Sequence, residues 1–191
     1  LDGKKFIDLA TMSVGTNILG YSNNKINNEV IKSIENGNMS SLNCPEEVYL
    51  SEKLLKMHDG FDMVRYAKTG GEANSIAIRI ARAHTKKDNI AICGYHGWQD
   101  WYVCKTSMNS GVPKVISKYS HRFNFNDVES LTKLFDEFKN KVACVIMEPI
   151  SKEEPKCKKI CSFCKLNNKN KCKGFLNLVK KITHKNNALL I

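Results

Sequence analysis

Two short, unbroken apolar runs constrain this chain more than any other feature. Val142-Ala143-Cys144-Val145-Ile146-Met147 and the shorter Asn89-Ile90-Ala91-Ile92-Cys93 have no polar alternation. A run of that length and character suits a strand buried on both faces, as in a parallel sheet covered by helices. Around these runs the period changes. Ala73, Ile76, Ala77, Ile80 and Ala81 recur at spacings of three and four, as do Val128, Leu131, Leu134 and Phe138, and then Phe175, Leu178, Val179 and Ile182. Each set predicts an amphipathic helix. Strands alternating with helices predict an α/β domain with a mainly parallel sheet. Further strands are expected at residues 4–9, 64–67, 115–116 and 188–191, and a loop over residues 10–24. Two earlier helices are expected: one on Ile26, Val30, Ile31 and Ile34, stopped by Gly37, and one after Pro45-Glu46-Glu47, carried by Val48, Leu50, Leu54 and Leu55. Proline suits the first helical turn and acidic residues suit its positive end. There are no internal repeats.

Charge narrows the partners. The net charge is +11, from 30 Lys+Arg against 19 Asp+Glu. The lysines are scattered among asparagines, as in Lys25-Ile26-Asn27-Asn28 and Asn167-Asn168-Lys169-Asn170-Lys171, and no aromatic residues are interleaved with them to stack bases. That is the pattern of a solvated surface, and no nucleic-acid partner is expected. No apolar run approaches the roughly 20 residues that cross a bilayer, so no membrane partner is expected either. The eight cysteines are unevenly spread. Cys44, Cys93, Cys104 and Cys144 stand alone and are expected to be reduced core thiols of a cytoplasmic protein. The chain opens on Leu1-Asp2-Gly3 without an initiator methionine and closes on the apolar Ala188-Leu189-Leu190-Ile191. A buried strand needs backbone partners on its flanks, so the sequence is expected to be a fragment, with an open sheet edge that lowers its solubility.

Three segments carry chemistry. Thr69-Gly70-Gly71 lies between an expected strand and an expected helix. A helix start exposes unpaired N–H groups and the positive end of the dipole, and glycines let a phosphate approach the backbone. The same three residues also suit an ordinary strand-to-helix turn, and both readings stand at this point. A Walker loop and a dinucleotide fingerprint are excluded, since neither glycine spacing occurs. One strand later, Gly94-Tyr95-His96-Gly97-Trp98-Gln99-Asp100-Trp101-Tyr102 brackets aromatic rings between glycines. Its rings suit either stacking on a planar heterocycle or a cluster capping the core. Finally, Cys157, Cys161, Cys164 and Cys172 crowd a Lys/Asn-rich stretch at about residues 151–173. The first three have the spacing of a radical-type iron–sulfur motif; the alternatives are a structural zinc held by all four, or a loop of reduced thiols.

Taken together, Thr69-Gly70-Gly71-Glu72-Ala73-Asn74, then Ala77-Ile78-Arg79-Ile80-Ala81-Arg82-Ala83, then Gly94-Tyr95-His96-Gly97 resemble the class III aminotransferases, and the glutamate-1-semialdehyde aminomutase branch most. Asp2-Gly3-Lys4-Lys5-Phe6-Ile7-Asp8, Leu19-Gly20-Tyr21 and Met147-Glu148-Pro149 resemble further motifs of that family in the same order. The resemblance implies a pyridoxal-phosphate-dependent transferase of fold type I, a cytoplasmic homodimer with its active site at the subunit interface. It implies transfer of an amino group between small amino, aldehyde and keto compounds. It further implies an N-terminal segment over 1–45 and an incomplete large domain over 46–191, with the cysteine-rich stretch as an insertion. Gly70 and Gly71, with Thr69 beside them, would hold the cofactor phosphate. Tyr95 would stack on the pyridine ring with His96 adjacent, Glu148 would lie near the ring hydroxyl, and Ser13 near the substrate. The family usually has Ser-Gly-Thr at the cradle, so Gly71 removes one hydroxyl donor, for which backbone N–H groups can serve. Ser151-Lys152-Glu153-Glu154 also departs from the aminomutase branch after the Glu-Pro pair. The Schiff-base lysine and the aspartate that pairs with the pyridine nitrogen are expected beyond Ile191, so these residues alone are expected to be inactive. Two other readings compete: a catalytically inactive truncated remnant, and a metal or iron–sulfur protein built on Cys157–Cys172.

Overall fold

The computed structural model describes residues 2–9, 15–37, 41–150, 153–156 and 174–191. They fall into two compact units, Leu1–Arg65 and Tyr66–Ile191. In the first, α1 (Asn24–Glu35) begins where the Asn23 side chain accepts from the N–H groups of Lys25 and Ile26, at 3.1 and 3.4 Å. Its stripe of Ile26, Val30, Ile31 and Ile34 is the expected one, but all four are about half exposed. Helix α2 (Pro45–Met57) starts with proline in its first turn and Glu46 and Glu47 at its positive end. Residues 4–9 form no strand with any of the described residues, and Phe6, Ile7 and Leu9 are exposed.

The second unit is a four-stranded sheet, wholly parallel, in the order β2-β1-β3-β4. Its strands are β1 (Asn89–Cys93), β2 (Ser120–Arg122), β3 (Val142–Met147) and β4 (Leu189–Leu190). The two apolar runs became the two central strands, as their composition demanded. Side chains alternate across the pleat. Ile90, Ile92, Cys144 and Ile146 face one side, where they meet Ile78 and Ala81 of α3 (Gly70–Thr85) and Tyr102 of the short α4 (Asp100–Val103). Ala91, Cys93 and Val145 face the other, beneath α5 (Val128–Glu137) and α6 (Phe175–Lys185), through Leu131, Phe135, Phe175 and Val179. Asn89 pairs with Val142 but Ile90 pairs with Cys144, and this one-residue irregularity turns Val142 onto the α5–α6 side.

Two expected strands are absent here. Residues 64–67 are not a strand; they run towards α3 without ladder partners among the described residues. Val115 and Ile116 are not a strand either. Pro113 opens a tight turn there, with Ile116 N–H donating to its carbonyl at 3.1 Å, and a 3-10 helix follows over Ile116–Tyr119. The third strand is instead Ser120-His121-Arg122, which shows no apolar pattern. Ser120 is fully buried and donates to the Trp101 carbonyl at 2.6 Å, and His121 stacks on Phe138 and meets Asn89 Oδ1 at 2.9 Å. Polar partners, not hydrophobicity, seat this edge. Of the isolated cysteines, Cys93, Cys104 and Cys144 are buried thiols as expected; Cys44 is exposed, because it precedes Pro45 as the cap residue of α2.

The crossovers set the place where a ligand can bind. The connection leaving β1 carries α4 on one face of the sheet, and the connection leaving β3 carries α6 on the other. Neighbouring strands whose connections part to opposite faces open a crevice at their carboxyl ends, the usual binding position in open α/β sheets.

Candidate active site at the carboxyl ends of β1 and β3

Helix α3 points its first turn at this crevice, and its start is held by a reciprocal cap. Thr69 Oγ1 accepts from Glu72 N–H at 3.2 Å, while the Glu72 carboxylate accepts from the N–H groups of Thr69 and Lys68, both at 3.0 Å. Such a capping box satisfies the outer orphan donors of a helix. Ala73 N–H closes on the Thr69 carbonyl at 3.0 Å. The N–H groups of Gly70 and Gly71, at the tip of the dipole, meet no acceptor among the described residues. A Cβ built at Gly70 meets nothing within 4 Å, so the space before the tip is open.

Beyond Cys93 the backbone turns through Gly94, at φ +95°, into Tyr95 and His96. Glu148, at the end of β3, folds over this turn. Its Oε2 accepts from Tyr95 N–H at 3.0 Å and its own N–H donates to the Cys93 carbonyl at 3.2 Å. A Cβ at Gly94 would stand 2.5 Å from that carboxylate oxygen, so glycine is required by space as well as by φ. Asn74, one turn into α3, donates to the His96 carbonyl at 3.2 Å and ties the helix to the loop. The buried His96 ring places Nε2 2.9 Å from the Cys93 carbonyl, which can only accept, so Nε2 carries the hydrogen. Burial lowers the His96 pKa from its usual 6.5, against smaller raising effects of the Cys93 carbonyl and the Glu148 charge. The imidazole is therefore neutral at pH 7.

The rings of the aromatic loop divide into two groups. His96, Trp101 and Tyr102 form a packed cluster with centroids 5.7–6.2 Å apart, and Trp101 Nε1 donates to Ser75 Oγ at 3.0 Å. Tyr95 and Trp98 are instead 68% and 77% exposed. Among the described residues, the Tyr95 ring has one ring contact, edge-to-face with Tyr102 at 5.7 Å. A cavity of about 310 Å³ is lined by Thr69, Gly70, Gly71, Asn74, Tyr95, His96, Gly97 and Trp98. Six expected residues are thus brought together: five line this cavity, and Glu148 anchors its Tyr95 wall. Ser13 lies outside the described residues, as do Cys157, Cys161, Cys164 and Cys172. Among the described residues no group of three or more His, Cys, Asp or Glu is arranged to hold a metal.

Two participants escaped the sequence reading. Asn74 lies four residues after Gly70, hence on the same helical face, and that spacing was the available signal. Gln99, the cap residue of α4, packs its amide against Gly71, and no spacing rule indicates that contact.

The sequence model of the class III aminotransferases matches residues 1–191. The chain belongs to the class III aminotransferase family. It is 32% identical over 204 residues to the glutamate-1-semialdehyde 2,1-aminomutase of Methanobrevibacter smithii, covering 100% of this chain and 44% of that protein. It is 36% identical over 151 residues to the 3-aminobutyryl-CoA aminotransferase of Cloacimonas acidaminovorans, covering 78% of this chain and 36% of that protein. The chain therefore spans less than half the length of these relatives. Among solved structures, a transaminase with PLP bound superposes with a TM-score of 0.78 at 21% identity, covering 94% of this chain and 42% of that one. A glutamate-1-semialdehyde aminomutase from Pseudomonas aeruginosa PAO1 gives 0.73 at 17% identity, covering 100% and 41%. The fold is that of the pyridoxal-phosphate-dependent transferases of fold type I, over the stretch this chain spans.

Proposed function

We propose that this chain provides the phosphate and ring contacts of an enzyme that moves an amino group with the help of pyridoxal phosphate, as an aminotransferase or an aminomutase. The observation that carries the reading is the convergence of the α3 tip, the Tyr95–His96 loop and Glu148 on one crevice between β1 and β3. The residues fit the cofactor. Open space before Gly70, two free backbone N–H groups and the Thr69 hydroxyl suit a phosphate dianion, for which a helix N-terminus is a ready site. The exposed Tyr95 ring suits stacking on a planar pyridine, and neutral His96 stiffens the wall behind it. Glu148 holds Tyr95 N–H and thereby fixes the stacking ring, and in this reading its carboxylate lies near the ring hydroxyl.

When bound, pyridoxal phosphate supplies an electron sink for bonds at the amino-bearing carbon. The residues of this chain bind and orient it. The substrates of this reading are small amino, aldehyde and keto compounds, with Ser13 beside them. The protein works as a cytoplasmic homodimer, with residues 1–45 as an N-terminal segment and 46–191 as part of a large domain. The half-exposed stripe of Ile26, Val30, Ile31 and Ile34 is consistent with a further covering surface.

Of the two tryptophans of the chain, Trp98 lines the crevice and Trp101 packs against His96 of its wall, and their fluorescence reports its occupancy. Titration with pyridoxamine 5′-phosphate, which needs no covalent link, should quench that fluorescence saturably. Pyridoxamine without the phosphate should bind more weakly. Absence of saturable quenching, or equal affinity for the two, would overturn the reading.

A further inference from the structure

We infer that Gln99 is a phosphate-binding residue, whose amide takes the place of the side chain that Gly71 lacks; the inference rests on the pyridoxal-phosphate reading of this crevice. A Cβ built at Gly71 would stand 2.1 Å from Gln99 Nε2, 2.4 Å from Oε1 and 2.5 Å from Cδ. The amide therefore occupies the volume that any residue other than glycine would fill. From the other side, a Cβ at Gly97 would stand 2.7 Å from Gln99 Oε1 and 3.4 Å from Gly71 Cα. Two glycines thus clear a slot for one amide, and both of them line the crevice.

Gln99 Oε1 is buried without a hydrogen-bond partner among the described residues. Its Nε2 makes none of the hydrogen bonds that order the neighbouring Asn74, Ser75 and Trp101 side chains. A buried amide oxygen without a partner is costly and calls for a ligand or water that completes it, while the rest of the half-buried Gln99 side chain keeps access to solvent. The two ends of the amide exchange by a half-turn, so its donor end can face whatever acceptor arrives. Beside it lie the open N–H groups of Gly70 and Gly71 and the positive end of the sixteen-residue α3. An acceptor-rich dianion at the helix tip satisfies the backbone donors and the amide together. Glycine at 71 and glutamine at 99 are then one device: the donor is delivered from α4 across the slot, not from α3 itself.

Two variants test this in the purified protein, with pyridoxamine 5′-phosphate and pyridoxamine as probes and tryptophan fluorescence as the readout. Gln99→Met keeps the length and volume but removes the donors. It should weaken pyridoxamine 5′-phosphate about tenfold, the loss of one hydrogen bond to a charged group, and leave pyridoxamine unchanged. Gln99→Ala should show the same selective loss. Adding Gly71→Ser, which has room once the amide is gone, should recover most of it by supplying a hydroxyl from α3. Wild-type affinity in Gln99→Met, an equal loss for both probes, or no recovery in the double variant would each overturn the inference while leaving the cofactor reading intact. Failure of the wild-type protein to bind pyridoxamine 5′-phosphate would overturn both.

Discussion

Replacing Thr69 by alanine removes the oxygen that caps α3 and tests whether the phosphate cradle is built on a capping box. Only Ile78 and Ala81 of this 16-residue helix are fully buried, so its first turn has little tertiary packing to hold it. The Thr69 oxygen satisfies Glu72 N–H, and the Glu72 carboxylate satisfies two more donors, of Thr69 and Lys68. Loss of a threonine cap costs about 1 kcal/mol, which for a chain of this size lowers Tm by about 2–4 °C. Thr69→Ser keeps the oxygen and should stay close to wild type. Glu72→Ala should cost a comparable amount, from its hydrogen bonds and about 0.3–1 kcal/mol of dipole interaction. The double variant should cost less than the sum, because the two halves share one network. Thermal unfolding followed by circular dichroism measures all four. Equal losses in Thr69→Ser and Thr69→Ala would refute the reasoning, since the methyl group and not the oxygen would then be responsible. Glu72→Gln adds a functional arm. The carboxylate holds Lys68 and Thr69 and leaves Gly70 and Gly71 open, so it opposes a bound phosphate by charge alone. Its neutralisation should tighten pyridoxamine 5′-phosphate at low ionic strength, and the gain should fade with salt.

Three further outcomes follow from the packing. His96 and His121 both have pKa values lowered chiefly by burial; the unfolded chain takes up protons first, so stability is complete above pH 6.5 and falls as the pH drops through 6.5 towards the folded values. Urea unfolding between pH 7.5 and 5.5 measures the loss, and His121→Gln should flatten it. Ile92→Ala, at a fully buried position in β1, should cost about 2–5 kcal/mol in urea unfolding. Burial pushes the Cys93 thiol up to about 11 and the Cys144 thiol up to about 12, so alkylation at pH 8 followed by peptide mapping should label exposed Cys44 and spare both.

Much of the fold was legible because hydrophobic burial wrote it. Asn89–Cys93 and Val142–Met147 are strands with the bounds their apolar runs indicate, and α3, α5 and α6 follow their three-four spacing. The same logic overreached at Val115-Ile116, where two apolar residues after Pro113 enter a 3-10 turn. It was blind at Ser120-His121-Arg122, whose place in the sheet is set by hydrogen bonds to Trp101, Asn89 and Lys105 from distant parts of the chain. At the site, Thr69, Gly70, Gly71, Tyr95 and His96 stood out through local motif chemistry, and Glu148 only through the family resemblance. Gln99 did not, since its role depends on what residue 71 lacks, and an absence in one helix gives no signal in the next.

The strand order carries a consequence for how the protein is made. β1 precedes both of its neighbours in the chain and ends between them, Ile90 beside both Ser120 and Cys144. Parallel neighbours need long crossovers, so neither pairing is local. Until β3 has emerged, an apolar segment that will be covered on both faces and both edges remains bare. Synthesis, more than the finished structure, is therefore the stage at which this sheet is exposed to aggregation and most dependent on chaperones.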